Sequence, residues 1–483
     1  MNYKFTYPKD KYDEADLDRN LIMKLIIKHQ ALTERLIRNK QYYDGNHKIC
    51  SRERTSGAPN AKTVCNHAKD ISDTATGYFM GNPITYSNTG DADIEPLLLA
   101  FDKANTDDTD SDIALDMSIY GVSYEYVYAK ENDTTLMSKV LEPERTFIVY
   151  DDTIEENELF GVYYFYKKDD VNNTGIWVAT ICTEHLQYVI NIQGSDMTAV
   201  TNEFKLVNEV PTQHFMGMVP IIEYQNNKEN IGDFEQQIGL IDAYDVLMAD
   251  RVNDKEQFID AILVLYGSYL SDEVSENETE DEEQSPNAVK RLRDLKLLEL
   301  PEGAKAEYLS RTLDESGVEI LRKAIKEDIY TFSHVPNLTD ENFVGNSSGV
   351  AMEYKLLGLE MITKVKQRYY KKGLRKRYKL FCNYLSLSQI LVDSDSIVAN
   401  FTRGLPKNLL ELAQTISSLK GTVSQKTLLS LLPFVEDPDE ELEQVREDNA
   451  EAIKQQQELF NDPNANNSTP PEEDKDSDVV DEE

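Results

Sequence analysis

Residues 336–379 read PNLTDENFVGNSSGVAMEYKLLGLEMITKVKQRYYKKGLRKRYK, and they join a polar, glycine-bearing loop to the longest helical pattern in the chain. From Val350 the apolar residues Ala351, Tyr354, Leu356, Leu357, Met361, Ile362 and Val365 return at three- and four-residue intervals, and the pattern runs to about Leu391. At 1.5 Å per residue, some forty residues make roughly 60 Å of helix. That exceeds an ordinary globular helix and suits the spine of something large. Two further amphipathic runs precede it. Phe234, Ile238, Ile241, Leu247 and Val252 form a stripe within Asp233–Phe258, and Val318, Leu321, Ile325, Ile329 and Phe332 form another within Leu313–Ser333. Between them FIDAILVLYG (258–267) and LKLLELPEG (295–303) read as strands, rich in Ile, Val, Leu and Tyr and ending at glycine. The expected order is helix, small β module, helix, loop, long helix.

Outward from this centre, Glu14–Gln41 reads as one helix through Leu17, Leu21, Leu25, Leu32 and Leu36, stopping before Asp44-Gly45. In Lys62–Tyr86 the residues Gly77, Gly81 and Pro83 punctuate a helix end. From Tyr120 to Tyr224 the chain turns β-rich, with GVSYEYVYA, TFIVYDD, LFGVYYFYKK, GIWVATICT, LQYVINIQ and VPIIEY separated by polar turns. Beyond Gly404, KNLLELAQTISSLKG and SQKTLLSLLPF read as a helical pair, and Asp437-Pro438-Asp439-Glu440 as a helix start.

Composition bounds the function. The 483 residues suffice for two to four domains. No stretch of 18 uncharged apolar residues occurs, and MNYKFTYPKDKYDEAD lacks a signal peptide's apolar centre, so a cytoplasmic chain without a membrane partner is expected. Cys50, Cys65, Cys182 and Cys382 are too scattered for a disulfide framework. The net charge of −38 is concentrated: Glu436–Glu483 holds 19 acidic and 3 basic residues and Asp272–Glu283 holds 8 acidic ones, so these two pieces carry −24 of it. Both read as solvated, disordered chain.

Several motifs invite chemistry. Gly345-Asn346-Ser347-Ser348-Gly349 fits the G-x-S-x-G elbow, but the polar NLTDENFV before it is no buried strand, and Ser347 or Ser348 reads better as a helix N-cap. His47, Cys50, Cys65 and His67 have zinc-ligand types at an unusual spacing and read better as a cysteine pair buried or half-buried in the fold. Asp108, Asp110 and Asp112 resemble the start of a calcium loop, but Ile113 and Ile119 replace its glycine and glutamate, so a solvated acidic helix start is expected. There is no phosphate loop or dinucleotide fingerprint, and no cofactor is expected. Lys364–Lys379 carries nine positive charges and no acid, with Tyr369, Tyr370 and Tyr378 interleaved. Lys364, Arg368, Lys371, Lys372, Arg375 and Lys379 are the candidates for nucleic-acid contact, against a solvated face or one that pairs with an acidic neighbouring subunit.

Three blocks carry a resemblance. KTVCNHAKDISDTATGYFMGNPITY, IIEYQNNKENIGDFEQQIGLIDAYDVLMADRVND and VPNLTDENFVGNSSGVAMEYKLLGLE, in that order, resemble tailed-bacteriophage portal proteins of the siphophage type, with a likeness from about Asn20 to Ala452. The resemblance implies an α+β, multi-domain portal fold with long stem and wing helices and a β-rich wing and clip. It implies a wing over 1–232, a stem helix over 233–257, a clip over 258–311, a second stem helix over 312–333, a channel loop over 334–349, a long wing helix over 350–403, a crown over 404–460 and a disordered acidic tail over 461–483. It also implies a non-enzymatic homo-oligomeric ring, a dodecamer, at one capsid vertex of a virion assembled in the host cytoplasm. Double-stranded DNA would pass through it during packaging and ejection. Terminase, major capsid and scaffolding proteins and head-completion (adaptor) proteins would be its partners. By the same resemblance Asn337, Thr339, Asp340, Glu341, Asn342, Phe343 and Asn346 belong to a loop that touches DNA, and Lys323, Lys326 and Glu327 are stem residues facing the channel. The rival readings are a nucleic-acid-processing enzyme that uses the basic helix 364–379, and an acidic interaction protein without DNA.

Overall fold

The structure is a computed structural model that describes residues 4–54, 59–89, 93–130, 135–169, 171, 174–193, 205–207, 211–259, 262–266, 305–309, 315–338, 349–403, 409–429, 432, 435 and 441–450. The chain divides into two units, Met1–Gly345 with Tyr354–Gly404, and Asn346–Glu353 with Leu405–Glu483. In the second unit the helices α9 (Leu409–Leu419) and α10 (Gln425–Leu429) fall within the expected helical pair, and residues 441–450 are helical. The cap proposed at Asp437 lies outside the described residues.

In the first unit the expected N-terminal helix is two helices, α1 (Arg19–Gln30) and α2 (Glu34–Tyr43). Asp18 caps α1 by accepting from the Asn20 amide, and the chain turns at 31–33, where the Leu32 amide and the Thr33 hydroxyl bond the carbonyls of His29 and Gln30. Apolar spacing survives such a turn, which is why the sequence reads as continuous. α3 (His67–Met80) ends at Gly81, as its punctuation suggests. Two helices precede the β-rich region: α4 (Glu95–Lys103), which the sequence reading did not identify, and α5 (Thr106–Tyr120), which contains the helix start expected at Asp108–Asp112.

The β-rich expectation holds over most of its length. Beyond β1 (Phe5–Thr6) and β2 (Thr85–Asn88), the strands run β3 (Val122–Ala129), β4 (Leu136–Leu141), β5 (Thr146–Tyr150), β6 (Glu158–Asp169), β7 (Thr174–Cys182), β8 (Leu186–Gln193), β9 (Lys205–Val207), β10 (Thr212–Gln213) and β11 (Ile221–Gln225). A seven-stranded sheet has the order β1-β5-β6-β7-β8-β10 with β9 also on β8, parallel only between β1 and β5, and a second antiparallel sheet has the order β11-β3-β4. The first sheet packs Val149, Phe160, Val162 and Ile181 against Ile22 and Ile26 of α1.

Then come α6 (Ile238–Ile259), β12 (Ile262–Tyr266), β13 (Lys305–Leu309), α7 (Glu315–Ser333), α8 (Gly349–Leu387) and β14 (Ile397–Asn400), the last paired with β2. This is the predicted helix, β module, helix, long helix order. α8 has 39 residues and stops four short of the expected end, where Ser388, Gln389 and Ile390 turn back onto the carbonyls of Leu385 and Ser386. β13 pairs Leu309 with Ile262, and the strand expected at LKLLELPEG (295–303) lies outside the described residues.

α8 lies across the second sheet and α3, α4 and α5. Tyr370 meets Tyr224 at 4.8 Å and Phe79 edge-on at 5.5 Å, and Phe381 meets Phe101 edge-on at 4.9 Å. The approach is close enough to require a glycine: a Cβ on Gly373 would sit 2.4 Å from the Tyr224 ring.

Into this apolar contact α8 sends Arg377, which is fully buried. Its Nη1 lies 2.6 Å from Asp110 Oδ1 of α5, and its Nε donates to Glu125 Oε2 of β3 at 2.9 Å. Tyr370 donates to Asp110 at 2.6 Å, and Tyr224 and Ser138 donate to Glu125 at 2.6 and 2.5 Å. Burial pushes the Asp110 carboxyl up to about 6 although Arg377 pulls it down, so it is ionised at neutral pH. Asp110 is thus the opposite of the solvated helix start expected of it; its exposed neighbours Asp108 and Asp112 fit that expectation. Nothing in the alternating acids 108, 110 and 112 marks the middle one as buried.

Removing the cation would strand two carboxylates in a dry site. Arg377→Met should cost about 3–5 kcal/mol, read as a fall in the denaturant midpoint, and the triple replacement Arg377→Met, Asp110→Asn, Glu125→Gln should recover much of it.

Candidate DNA-channel elements and the basic helix

α6 and α7 pack side by side, with the β12–β13 pair between them in sequence. Glu319 of α7 accepts from Arg251 of α6 at 3.0 Å and from Arg322 of its own helix at 2.6 Å, and Arg322 also donates to Tyr244 of α6 at 3.1 Å. Lys255 pairs with Glu315 near the same end. Arg322 and Arg251 hold Glu319 down at about 2. Of the expected stripes, Phe234, Ile241 and Ile329 are buried, but Val252, Leu321 and Phe332 are exposed, as are Ile320 and Val246. Polar groups therefore carry much of the pairing, and apolar side chains are left outward.

The buried face of α6 is polar as well. Asp245 and Asn253 are buried on it, and residues 35–54 and 59–66 are clamped along it. Arg35 and Arg38 reach Glu235 just before the helix, Tyr42 donates to Asp242 at 2.6 Å, Arg52 and Arg54 pair with Asp250, and the Ala61 amide donates to Asn253 at 2.7 Å. At the centre, His47 Nδ1 is 2.5 Å from Asp245 Oδ2 and its Nε2 is 3.0 Å from the Tyr42 carbonyl, while Tyr42 stacks on the imidazole at 4.7 Å. Two acceptors need two ring N–H donors, which only the imidazolium has.

The zinc quartet is not assembled. His47 is occupied by Asp245, His67 Nδ1 faces the Tyr330 hydroxyl at 3.2 Å, Cys65 is half-buried and Cys50 is exposed, so the cysteines form no buried pair. No three His, Cys, Asp or Glu among the described residues are placed to hold a metal. All four cysteines are free thiols.

Of the loop candidates, Asn337 is half-buried just past α7, and Thr339, Asp340, Glu341, Asn342, Phe343 and Asn346 lie outside the described residues, as do Ser347 and Ser348. Among the stem candidates, Lys323 and Glu327 are exposed, and Lys326 is half-buried with Nζ 6.0 Å from the Tyr330 ring centre.

The nine cations of 364–379 separate into two sets. Three turn inward: Lys366 donates to Asp233 at 2.6 Å, Lys376 pairs with Glu158 and donates to the Ile221 carbonyl at 2.7 Å, and Arg377 forms the buried cluster. The six candidates of the sequence reading leave out these three, but it assigned them no structural role. Lys364, Arg368, Lys372, Arg375 and Lys379 are exposed, and Lys371 is half-buried over Phe401. Lys364 also contacts Glu360 at 3.5 Å.

The His47–Asp245 pair predicts a pH dependence. Burial lowers the imidazole's proton affinity, but the hydrogen bond and charge of Asp245 outweigh it and hold His47 above its ordinary value. A raised folded-state value means a contribution fully present below about pH 6.5 and lost as pH rises through the folded-state value. The stability advantage of the parent over His47→Gln should be widest near pH 6 and shrink toward pH 9, measured by urea midpoints across that range.

A family model described as phage portal protein, SPP1 Gp6-like, matches residues 23–455. The portal protein of Bacillus phage SPP1 is 24% identical over 478 residues, covering 93% of this chain and 90% of that relative. The portal protein of Clostridium phage phiCD119 is 23% identical over 332 residues, 66% of this chain and 68% of the relative. Among solved structures, a chain of the virion of a native gene transfer agent particle is similar at a TM-score of 0.44 and 8% identity, covering 84% of this chain and 98% of that one. A chain from the neck of the native particle, computed with C12 symmetry, is similar at a TM-score of 0.42 and 10% identity, covering 83% of this chain and 99% of that one. With a family match over most of its length, this chain belongs to the phage portal proteins of the SPP1 Gp6-like family, structural proteins of the virion that work as ring oligomers.

Proposed function

We propose that twelve copies close into a ring at one capsid vertex, and that double-stranded DNA passes through its channel during packaging and ejection. The observation that carries this reading is the α6–α7 pair, two long helices held together by the Glu319 ion pairs with a small β module between them. Such a hairpin, repeated around an axis, gives a channel wall. We assign 233–257 and 312–333 to the stem, 258–311 to the clip, 1–232 and 350–403 to the wing, 404–460 to the crown and 461–483 to an acidic tail. The clip is the docking surface for terminase during packaging and for head-completion proteins afterwards, with capsid and scaffolding proteins around the ring. Nucleotide hydrolysis belongs to the terminase, and this chain has no catalytic role of its own. Assembly takes place in the host cytoplasm.

The loop 334–349 is the part of the channel that meets DNA. Asn337, Asn342 and Asn346 suit phosphate hydrogen bonds, and Asp340 and Glu341 keep the contact weak by repelling phosphate at close range. Lys323 and Lys326 on α7 are offset by Glu327 and Asp328, which also favours sliding over gripping.

Negative-stain images of the purified full chain should show closed rings with a central hole, and monomers at every concentration would refute the assignment. Deleting Thr339–Asn346 should leave rings intact but sharply reduce the DNA packaged into heads; unchanged packaging would make the loop a mere connector. Truncation after Phe460 should preserve ring symmetry, because the removed tail has almost no apolar surface to offset its ordering.

A further inference from the structure

Two kinds of residue share the outward face of α8. Tyr354, Leu357 and Met361 are 74%, 53% and 63% exposed, and the exposed cations Lys364, Arg368, Lys372, Arg375 and Lys379 follow them. At about 100° per residue, all eight lie roughly 140–220° around the helix from buried Arg377. They form one continuous face, apolar at its N-terminal end and basic at the other. Large exposed apolar side chains in line with the cations mark a surface made for protein rather than for phosphate alone.

A matching face exists on α5 and α4. Exposed Asp108 and Asp112 lie roughly 160–200° around α5 from buried Asp110. Leu99, 51% exposed, and Asp102 share the outward side of the adjoining α4. Burial first, and then the charge of Asp108, push the carboxyls of Asp107 and Asp112 up, and although exposed Lys103 ends α4, the exposed Asp102, Asp107, Asp108 and Asp112 leave this face net negative. Arg377 and Asp110 meet at 2.6 Å between the two helices. A face opposite Arg377 on α8 and a face opposite Asp110 on α5 therefore look in opposite directions.

Two different, complementary faces on opposite sides of one chain are what a head-to-tail contact requires, and a ring results when the rotation closes. We infer that the outward face of α8 docks on the acidic outward face of α4 and α5 of the next copy. The cations lie over the carboxylates and fix the register, and the apolar stretch is covered beside them. This rests on the ring reading and names the residues that join its copies.

The test is charge reversal in the full-length protein, read by sedimentation velocity and negative stain at one micromolar-range concentration. Arg368→Glu with Arg375→Glu, and separately Asp108→Lys with Asp112→Lys, should each lower the fraction of chains in rings at least about tenfold, with unchanged circular dichroism because all four residues are exposed. Combining the four substitutions should restore rings. A combined variant no better than its parents, or an α8 reversal that still forms rings, would overturn the inference while leaving the ring itself standing. Rings that persist but no longer retain double-stranded DNA in a filter-binding assay would give the stripe to DNA and overturn it too. A parent chain that never forms rings would fail the ring reading first.

Discussion

The buried cation of Arg377 is the constraint around which this protein is arranged. A guanidinium with no exposed surface is tolerable only if carboxylates meet it at hydrogen-bond distance, and here they come from α5 and β3, with hydroxyls from β11, β4 and α8 itself completing the set. α5, β3 and β4 follow one another in the chain, but β11 and α8 come far later, so the cluster forms only when the whole arrangement does. Apolar packing of Tyr370, Leu374 and Phe381 drives α8 onto the sheet, but such contacts tolerate sliding. The ion cluster does not, because a shift of one residue would bury an unpaired charge. Lys366 on Asp233 and Lys376 on Glu158 add two more fixed points along the same helix.

A different economy holds α6 in place. Its inner face sets Asp245 and Asn253 among Ile241, Tyr244 and Ala249, and residues 35–54 and 59–66 meet it with arginines, a tyrosine and an imidazolium. Directional bonds of this kind set rotation and register of a helix more sharply than apolar contact. Its pairing with α7 follows the same rule through Glu319, Arg251 and Arg322. The apolar side chains left outward on both helices, Val246, Val252, Ile320, Leu321 and Phe332, suit a chain whose helices work among copies of themselves.

Charge in this chain is sorted by place. The greater part of the net negative charge sits in the segments Asp272–Glu283 and Glu436–Glu483, outside most of the described residues, while α8 keeps its cations on two opposite sides. Inward cations hold the fold together. Outward ones remain available for contact, and an account of function that counts all nine together confuses the two.

Periodicity was enough to expose the long helix, the two helices before it and the β-rich middle, because apolar spacing is a local property that survives in any context. It also set the order of helix, β module, helix and long helix that the structure shows. It could not show the break at Ala31–Thr33, since the same spacing serves one helix or two, nor place β13, whose register depends on its partner. Least visible was the chemistry of burial. Asp110 looks like its neighbours Asp108 and Asp112, and Arg377 looks like Arg375; only tertiary structure decides which carboxylate and which guanidinium face inward, because the energy that separates them comes from partners more than two hundred and fifty residues away.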